Sequence, residues 1–434
     1  MLEKKLRLEE YFFGLFLVNL QRNQLIKSYT IMKKLRLFFS LFLALSTVAL
    51  WAVDKEQYTI IVSLDGFRWD YCDTYDTPFL NAMAAKGVKA VMMPSFPSKT
   101  FPNHYTLATG LVPDHHGIIA NSFKDRATGK RYSLGNAETR SNPAYYGGDP
   151  IWLTAKRQGV TTATVYWVGS DVAIKGDHAH YWHDYQKKPL LTDVERADEV
   201  LRLLQMPESE RPHFIMCYFE EPDHTGHVAG PITRACRREV EHLDSLLAYM
   251  WNRISLLPEA EKINLIVTGD HGMAWTDAER TVPVKPYIKE EWVDAIEGDL
   301  PANIYVKQPQ FADSIVAALA NVDHIRVWRK ADIPAYLQYG SNPNVGDVLV
   351  LPDMGWLFTD RKVRRGGSHG FDHTAADMHV GFRAMGPAFK VGYEKPDKFS
   401  NVCIYPLLCH LLGVTPSPCD GSLDSVADML ISGN

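Results

Sequence analysis

Three short apolar segments in this chain each lead directly into a group of acidic and histidine side chains. The segments Tyr58–Leu64, Phe214–Phe219 and Ile263–Val267 are rich in β-branched and aromatic residues, a composition typical of buried strands. The polar groups that follow them are Asp65, the segment from Glu220 to His227, and the pair Asp270 and His271. Ligands of open α/β sheets bind at the carboxyl ends of the strands. The pattern therefore predicts one sheet with a metal site at that edge.

Alternating helix and strand signals elsewhere predict an α/β fold. A helical segment from Thr77 to Lys86 stops at Gly87 and leads into a strand at Val88–Met93, and a second helix stops at Gly159 before another strand. This alternation is typical of a mostly parallel central sheet flanked by helices on both faces. The chain has 434 residues, 46% of them hydrophobic, which is enough material for one large core.

The alternation stops after Met273. Residues 281–363 are rich in Pro, Trp and Tyr and contain only short amphipathic pieces. Because another ligand motif follows at His369, we interpret this segment as a small inserted cap subdomain beside the site. The predicted catalytic domain then consists of residues 54–280 and 364–434.

The N-terminal 52 residues resemble an export signal. Residues 32–36 are basic, residues 37–50 form an apolar run, and small residues follow near Ala49 and Ala52. This order is typical of a secretory signal peptide and predicts a periplasmic or extracellular protein. The apolar run is short for a bilayer span, so no stable span is expected after cleavage, although a retained anchor is the alternative. Met32 is a second candidate start, which would exclude residues 1–31 from the protein.

The charge balance bears on the class of partner. The chain has 46 basic and 51 acidic side chains, a formal net charge of −5, whereas proteins that coat nucleic acids usually carry a basic excess. We therefore expect a small-molecule substrate and no binding of nucleic-acid polymers.

The six cysteines are too few for a disulfide scaffold. Cys403, Cys409 and Cys419 are close in sequence, so one disulfide could form among them. Cys409 lies in an apolar helical stretch, which favours a buried thiol at that position.

Six aspartate and histidine residues are candidate metal ligands. Side chains of these two types suit zinc when water or substrate completes the coordination shell. Any one of them alone is more often a cap, a turn former or a satisfied polar group, but their joint placement after predicted strands favours a metal centre. The candidates are Asp65, Asp223, His227, Asp270, His271 and His369.

Thr100 is a candidate nucleophile. It follows a predicted strand and opens a predicted helix, where backbone N–H groups and the helix dipole favour negative charge. A nearby metal ion could hold its hydroxyl as an alkoxide, since a free hydroxyl is a weak nucleophile. The alternative is that Thr100 is only the N-cap of the helix, and position alone favours that alternative.

Four longer motifs together resemble the nucleotide pyrophosphatase/phosphodiesterase family of the alkaline phosphatase superfamily. They are KTFPNHYTLATGLVPDHHG at residues 99–117, EEPDHTGHVAGP at 220–231, TGDHGM at 268–273, and HGFD at 369–372. The resemblance extends from about Tyr58 to Pro416 and implies an alkaline-phosphatase-like core. It also implies a phosphoric diester hydrolase.

The resemblance implies roles for individual residues. Two zinc ions are expected per chain, with Thr100 as the nucleophile of a threonyl-phosphoryl intermediate that a zinc-activated water hydrolyses. Asn121 matches the residue that hydrogen-bonds a non-bridging phosphate oxygen, and Phe101 and Tyr218 match positions that sandwich the nucleobase. One zinc would be surrounded by Asp65, Thr100, Asp270 and His271, and the other by Asp223, His227 and His369. His373 departs from the family, which most often has Asn there.

The sequence therefore predicts a secreted, zinc-dependent phosphodiesterase that releases nucleoside 5′-monophosphates. The first alternative keeps the mechanism and changes the substrate to a glycerophosphodiester or a choline-type lipid head group. The second is a non-catalytic binding protein on the same scaffold. A phosphomonoesterase would need a Ser nucleophile with an Arg close behind it, and a sulfatase would need C-x-P-x-R; neither pattern occurs here.

Overall fold

A nine-stranded sheet lies at the centre of the fold in the computed structural model, which describes residues 57–431. Its strands are β1 (Tyr58–Leu64), β2 (Val88–Met93), β5 (Thr162–Val165), β6 (Tyr181–Trp182), β7 (Phe214–Phe219), β8 (Ile263–Thr268), β17 (Val380–Met385), β18 (Tyr393–Glu394) and β19 (Phe399–Ser400). Their order is β18-β2-β17-β8-β1-β7-β5-β6, and β19 also pairs with β2. Only β17 runs antiparallel to its neighbours among these strands. The predicted mostly parallel α/β sheet is confirmed.

The remaining strands form smaller sheets. They are β3 (Ser122–Lys124), β4 (Arg131–Ser133), β9 (Ala274–Thr276), β10 (Thr281–Val282), β11 (Val293–Glu297), β12 (Ala302–Val306), β13 (Ile325–Arg329), β14 (Val348–Pro352), β15 (Leu357–Phe358) and β16 (Gly366–Ser368). The α-helices are α1 (Tyr71–Thr74), α2 (Pro78–Lys86), α3 (Thr100–Thr109), α4 (Pro113–His116), α5 (Ala137–Arg140), α6 (Ile151–Arg157), α7 (Asp193–Leu204), α8 (Asp223–Ala229), α9 (Arg234–Ile254), α10 (Gln310–Leu319) and α11 (Ile404–Leu411).

Three adjacent central strands end at the same level. Every residue of β1, β7 and β8 is buried, as expected for parallel strands covered by helices on both faces. In the registers of the sheet, Leu64 pairs with Phe219 and Ser63 pairs with Thr268. The polar residues that follow these strands therefore emerge side by side at one edge.

The helices bury apolar stripes against this sheet. The longest, α9, is amphipathic and begins at Thr233, whose hydroxyl accepts a hydrogen bond from the Cys236 N–H. A capping box between Thr192 and Glu195 starts α7 in the same way. Among the described residues, no helix has both the length and the apolar character needed to cross a bilayer.

Residues 281–363 have a small sheet and core of their own. Their four-stranded antiparallel sheet has the order β11-β12-β14-β13, and α10 packs against it around Ile304, Ile315 and Val350. Strands β9 and β16, which flank the segment, pair with each other, so the chain leaves and re-enters the main fold at one place. The boundaries of the cap subdomain stay a prediction.

The predicted signal peptide, residues 1–52, and the alternative start at Met32 lie outside the described residues. All six cysteines are free thiols, so no disulfide forms among Cys403, Cys409 and Cys419 in this structure. Cys409 is buried, as its apolar helix predicted.

Candidate active site

The predicted ligands meet at the carboxyl ends of β1, β7 and β8. Two overlapping clusters of ligand atoms form there, and within each cluster all atoms lie within 4.8 Å of one another. The first cluster is Asp65, Asp270 and His271, and the second is Asp223, His271 and His369. His271 therefore lies between the two. Among the residues that the structure describes, these are the sets able to hold a metal ion.

The first cluster surrounds the hydroxyl of Thr100. His271 Nε2 lies 3.1 Å from Thr100 Oγ1, 3.0 Å from Asp270 Oδ2 and 3.4 Å from Asp65 Oδ1. Asp65, Asp270 and His271 are buried, while Thr100 is partly exposed at the surface of the adjoining cavity. A reactive group bound at Thr100 would therefore be accessible from solvent on one side only.

His227 joins the second cluster from the same helix as Asp223. These residues lie four apart on α8, and His227 Nε2 is 3.4 Å from Asp223 Oδ2. His369 Nε2 lies 3.2 Å from His227 Nε2 and 3.6 Å from Asp223 Oδ1. Helix α8 thus presents both side chains to one point, as their spacing predicted.

All three histidines are oriented by the backbone through Nδ1. His271 Nδ1 lies 2.8 Å from the Gly272 carbonyl, His227 Nδ1 lies 2.9 Å from the Gly367 carbonyl, and His369 Nδ1 lies 2.9 Å from the Ser98 carbonyl. A carbonyl only accepts, so each Nδ1 carries the proton and donates it. Each Nε2 is then left with a lone pair that faces the centre, which is the tautomer a metal ion requires.

Three carboxylate oxygens in the site accept no hydrogen bond. They are Asp65 Oδ1, Asp223 Oδ1 and Asp270 Oδ2, and all are buried. A buried polar atom without a partner is costly, and a buried charge is costlier still. Metal ions would satisfy these oxygens and the three Nε2 lone pairs together. The donor set of oxygen and imidazole nitrogen therefore fits two divalent cations such as zinc.

The buried carboxylates of the site lie close enough together to shift one another's pKa. Burial raises the pKa of Asp65 well above its usual range, and Asp270 and Asp223 raise it further. Burial also raises the pKa of Asp223. For Asp270 burial acts in the same direction, but His271 and His104 outweigh it and hold the pKa well below its usual range. Crowded buried carboxylates of this kind are a setting in which a bound cation is strongly favoured.

Thr100 is the first residue of α3 and not its cap. The N-cap is Lys99, whose own side chain makes no capping hydrogen bond, and the Thr100 hydroxyl contacts His271 Nε2. The Asn121 side chain completes this end of the helix by accepting a hydrogen bond from the Phe101 N–H at 3.1 Å. Its oxygen is used in that bond, so its amide nitrogen is left to donate toward the cavity.

Comparison with known proteins places this geometry in a family. The sequence profile of the type I phosphodiesterase / nucleotide pyrophosphatase family matches residues 59–372. The chain belongs to this family. It is 33% identical over 395 residues to human ectonucleotide pyrophosphatase/phosphodiesterase family member 5, covering 90% of this chain and 81% of the human protein. It is 34% identical to rat family member 3, covering 86% of this chain but 44% of the rat protein, so it spans less than half of that relative.

Solved structures of the family agree with the fold. Murine ectonucleotide pyrophosphatase/phosphodiesterase 5 superposes with a TM-score of 0.81 at 32% identity, covering 86% of this chain and all of that one. A second murine structure is of an inactive threonine-to-alanine variant in complex with AMP, with a TM-score of 0.81 at 31% identity. The predicted family and its alkaline-phosphatase-like architecture are thus confirmed.

A cavity of about 480 Å³ opens beside Thr100 in this family member. Beyond the candidate ligands, its walls carry a set of aromatic, aliphatic and charged side chains that sequence reasoning did not single out. They include Leu134, Arg140, Tyr166, Asp171 and Tyr185, which join the predicted Phe101 and Tyr218. Leu134 and Tyr166 directly follow β4 and β5, and the other three lie in a short helix or in loops, so none of them belongs to one of the sequence motifs that mark the ligands. The Arg140 guanidinium lies 5.8 Å from the centre of the Tyr185 ring.

Tyr218 lines the cavity together with Phe101, although its side chain is only 7% exposed. Its ring meets His104 edge to face at 4.9 Å. Its hydroxyl donates a hydrogen bond to Asp65 Oδ2 at 2.7 Å. This bond ties Tyr218 to the candidate metal site, and its contact with a nucleobase stays a prediction.

His373, the departure from the family pattern, lies outside both ligand clusters. Its ring packs near Phe96 and against Tyr336, and burial lowers its pKa. In this structure His369 is a candidate ligand, whereas His373, four positions later, is a packing residue.

Proposed function

We propose that this protein is a secreted, zinc-dependent phosphodiesterase that cleaves nucleotide phosphodiester or pyrophosphate bonds and releases nucleoside 5′-monophosphates. One observation carries the proposal. Three backbone-oriented imidazoles and three unpartnered carboxylate oxygens surround a threonine hydroxyl at the mouth of a cavity lined with aromatic rings. The names of the family relatives describe nucleotide pyrophosphatases and phosphodiesterases, which agrees with this chemistry.

In the proposed reaction, Thr100 Oγ1 forms a bond to phosphorus and the bond from phosphorus to the leaving oxygen breaks. The electron pair of that bond stays on the leaving group, and the proton of the Thr100 hydroxyl passes to solvent. Water then forms a bond to the same phosphorus while the bond from phosphorus to Thr100 Oγ1 breaks. Thr100 Oγ1 keeps that electron pair and takes up a proton, the water gives up a proton, and the nucleoside 5′-monophosphate is released. Asn121 donates from its amide nitrogen to a non-bridging phosphate oxygen. Zinc bound by the two ligand clusters would lower the pKa of the Thr100 hydroxyl and neutralise phosphate charge.

The residues that would hold the metal ions are the predicted ones. Asp65, Asp270 and His271 would bind one ion next to Thr100, and Asp223, His227 and His369 would bind the other. Neutral imidazoles and ionised carboxylates are the forms that bind zinc, and the Nδ1 hydrogen bonds leave Nε2 of each histidine as the nitrogen that would bind the metal. The murine relative that was inactive carries alanine in place of a threonine, which supports a threonine nucleophile in this family.

Nucleotides are the substrate class that the cavity favours. Phe101 and Tyr185 both line it and are only partly buried, so part of each ring borders the space available to a planar base. The murine relative bound AMP, a nucleoside 5′-monophosphate. The alternative substrate is a glycerophosphodiester or choline-type lipid head group, for which the aromatic rings could enclose a quaternary ammonium.

The substrate class is tested with two aryl esters that share one leaving group. We expect zinc-loaded protein to hydrolyse p-nitrophenyl thymidine 5′-monophosphate with a higher kcat/KM than p-nitrophenyl phosphorylcholine. Phe101→Ala and Tyr185→Ala should each raise KM for the thymidine ester by about 10-fold, the value of one base–aromatic stack. Preference for the choline ester would replace the nucleotide assignment by the lipid one, and absence of turnover with both would favour a non-catalytic binding protein.

The hydroxyl of Tyr218 supplies a separate prediction. Tyr218→Phe keeps the ring and removes the hydrogen bond to Asp65, and loss of such a bond behind a metal ligand typically costs 10- to 100-fold in metal affinity or activity. We therefore expect the zinc concentration needed for half-maximal activity to rise by about 10-fold, with KM for the nucleotide ester nearly unchanged. If Tyr218 instead stacks on the base, Tyr218→Phe will leave zinc dependence unaltered.

Export is the remaining part of the proposal. It is supported by the basic, apolar and small-residue order of residues 32–52 and by relatives whose names describe ectoenzymes and venom enzymes. N-terminal sequencing of the protein recovered outside the cytoplasm should start near residue 50 or 53. Recovery of the intact N-terminus would favour a retained anchor.

A further inference from the structure

Arg196 is a buried cation behind the wall of the active-site cavity. It lies on α7, and only 2% of its side chain is exposed. It does not line the cavity itself, whose walls include Tyr166, Tyr185 and Glu220. Burying a guanidinium is costly unless its charge is paired and its N–H groups have acceptors. The acceptors of Arg196 therefore indicate which parts of the wall it holds in place.

Two nitrogens of the Arg196 guanidinium donate to the backbone. Nε donates to the Leu191 carbonyl at 3.1 Å, just before α7 begins, and Nη1 donates to the Tyr218 carbonyl of β7 at 2.8 Å. The guanidinium also lies 4.8 Å from the centre of the Tyr166 ring. Because these contacts join a helix to a strand of the central sheet, rigid elements of the fold set the position of the guanidinium.

The third nitrogen of the guanidinium binds Glu220. Arg196 Nη2 donates to Glu220 Oε2 at 3.1 Å, and the Tyr185 hydroxyl donates to the other oxygen, Oε1. The Glu220 side chain is 38% exposed, so the ion pair with Arg196 restrains it from the interior. Burial raises the pKa of Tyr185 and Glu220 raises it further, so the hydroxyl stays protonated and remains a donor. Glu220 thus connects a buried cation to a ring in the cavity wall.

Tyr185 depends on contacts of this kind because it lies in the loop between β6 and α7. Its side chain is partly exposed, and the Tyr166 ring meets it edge to face at 5.7 Å. A loop side chain that moves freely must become ordered when a ligand binds, and that ordering weakens the affinity. A ring that is held at its hydroxyl is ordered before the ligand arrives.

We infer that Arg196 is a positioning residue for the nucleoside, acting through Glu220 to fix the Tyr185 ring where it borders the space for the base. The inference rests on the proposed function and deepens it, because it names a residue that sets the affinity for the nucleoside portion of the substrate. Arg196 belongs neither to the cavity lining nor to the two ligand clusters. Its loss should therefore change KM for substrates that carry a base and leave kcat nearly unaltered.

Two esters with the same leaving group test the inference. p-Nitrophenyl thymidine 5′-monophosphate carries a base, whereas methyl p-nitrophenyl phosphate does not. We expect Arg196→Met to raise KM for the thymidine ester by about 10-fold, the value of one base–aromatic stack, with kcat changed by less than about 2-fold. The kcat/KM for the methyl ester should be nearly unchanged.

Arg202→Met is the matched control. Arg202 lies on the same helix and also pairs with a glutamate, Glu199, at 2.7 Å, but its side chain is 57% exposed and does not contact the cavity wall. Both esters should therefore be hydrolysed by this variant as by the wild type.

A double variant separates the positioning role from a general structural one. Tyr185→Phe keeps the ring and removes the bond to Glu220, so it should also raise KM for the thymidine ester. Because Arg196 acts through that bond, combining Arg196→Met with Tyr185→Phe should raise KM no further than Arg196→Met alone. If Arg196→Met does not fold, Glu220→Gln takes its place in both comparisons, since it leaves one acceptor oxygen for the two donors on a partly exposed side chain.

Three results would overturn the inference. Equal losses on both esters would show that Arg196 acts through the metal site or the fold. Effects on KM that multiply in the double variant would show that Arg196 and Tyr185 act independently, and an unchanged KM would show that the ring needs no such support. A wild-type protein that hydrolyses neither ester would instead contradict the proposed function, and the inference would be lost with it.

Discussion

Replacing Thr100 by alanine is expected to abolish turnover while the protein remains folded. Removing a catalytic nucleophile typically lowers kcat by at least about 10⁴-fold, because the remaining site can bind the substrate but cannot form the covalent bond. The stability should change by less than about 0.5 kcal/mol, since the Thr100 side chain does not cap α3 and is partly exposed. Steady-state hydrolysis of p-nitrophenyl thymidine 5′-monophosphate and thermal unfolding measure the two effects.

Thr233 provides a matched control for this substitution. It also begins a helix, but its hydroxyl accepts the Cys236 N–H as a true N-cap. Thr233→Ala should therefore cost about 1 kcal/mol of stability and leave kcat unchanged, the opposite result to Thr100→Ala. Retained activity in Thr100→Ala would remove the threonine mechanism.

The covalent step can also be observed directly. Acid quenching of wild-type protein during turnover of the thymidine ester should trap a thymidylyl adduct, and peptide mass spectrometry should place it on residue 100. Thr100→Ser should still form the adduct, because it keeps a hydroxyl at the same helix position. An adduct on any other residue would contradict the assignment of the nucleophile.

The candidate ligands could be predicted from the sequence because they follow strands whose register is set by burial. β1, β7 and β8 are buried on both faces, so their apolar runs are continuous and their ends are marked by the first charged residue. Once parallel strands are aligned by these runs, Asp65 and Asp270 must emerge at one edge. His369 follows the three-residue strand β16, which has no comparable apolar run, so it was a candidate through its own motif and through the family resemblance.

The substrate cavity could not be predicted in this way. Leu134, Arg140 and Tyr185 lie in short elements and loops, where neither a helical nor a strand period marks the side of the chain that faces the site. Their positions depend on tertiary contacts, such as the hydrogen bond from the Tyr185 hydroxyl to Glu220. The position of Lys99 near Asp299 of the inserted segment (residues 281–363) has the same origin, since the fold alone brings residues 99 and 299 together.

Tyr218 shows how a strand residue can have a contact that the sequence does not predict. It lies on β7 opposite Ser63 of β1, two residues before Asp65. A tyrosine near the end of a buried strand can direct its ring into the cavity or its hydroxyl across to the neighbouring strand. The sequence motif does not distinguish the two directions, whereas the 2.7 Å contact between the Tyr218 hydroxyl and Asp65 does.

Removing the metal ions should inactivate the protein and destabilise it. Without cations, the unpartnered oxygens of Asp65, Asp223 and Asp270 remain buried beside one another, and their mutual repulsion opposes folding. A ligand that binds only the native state at about 1,000 times its Kd adds about 4 kcal/mol to the free energy of unfolding. We therefore expect dialysis against a chelator to lower Tm and to abolish hydrolysis of the thymidine ester. Added zinc should restore both, with two zinc ions per chain by elemental analysis.

His369 and His373, which lie four residues apart, provide a test and a control for the prediction of metal binding. His369→Ala removes an Nε2 lone pair from the second cluster, so it should lower the zinc content toward one ion per chain and reduce kcat by at least about 10²-fold. His373 belongs to neither cluster, and His373→Asn, which introduces the residue most often found in the family, should leave the zinc content and kcat near those of the wild type. Equal zinc loss in both variants would mean that the loop as a whole, and not the His369 imidazole, holds the second ion. A metal-free wild-type protein with undiminished activity and Tm would show that the buried carboxylates and imidazoles are a structural network without a catalytic metal.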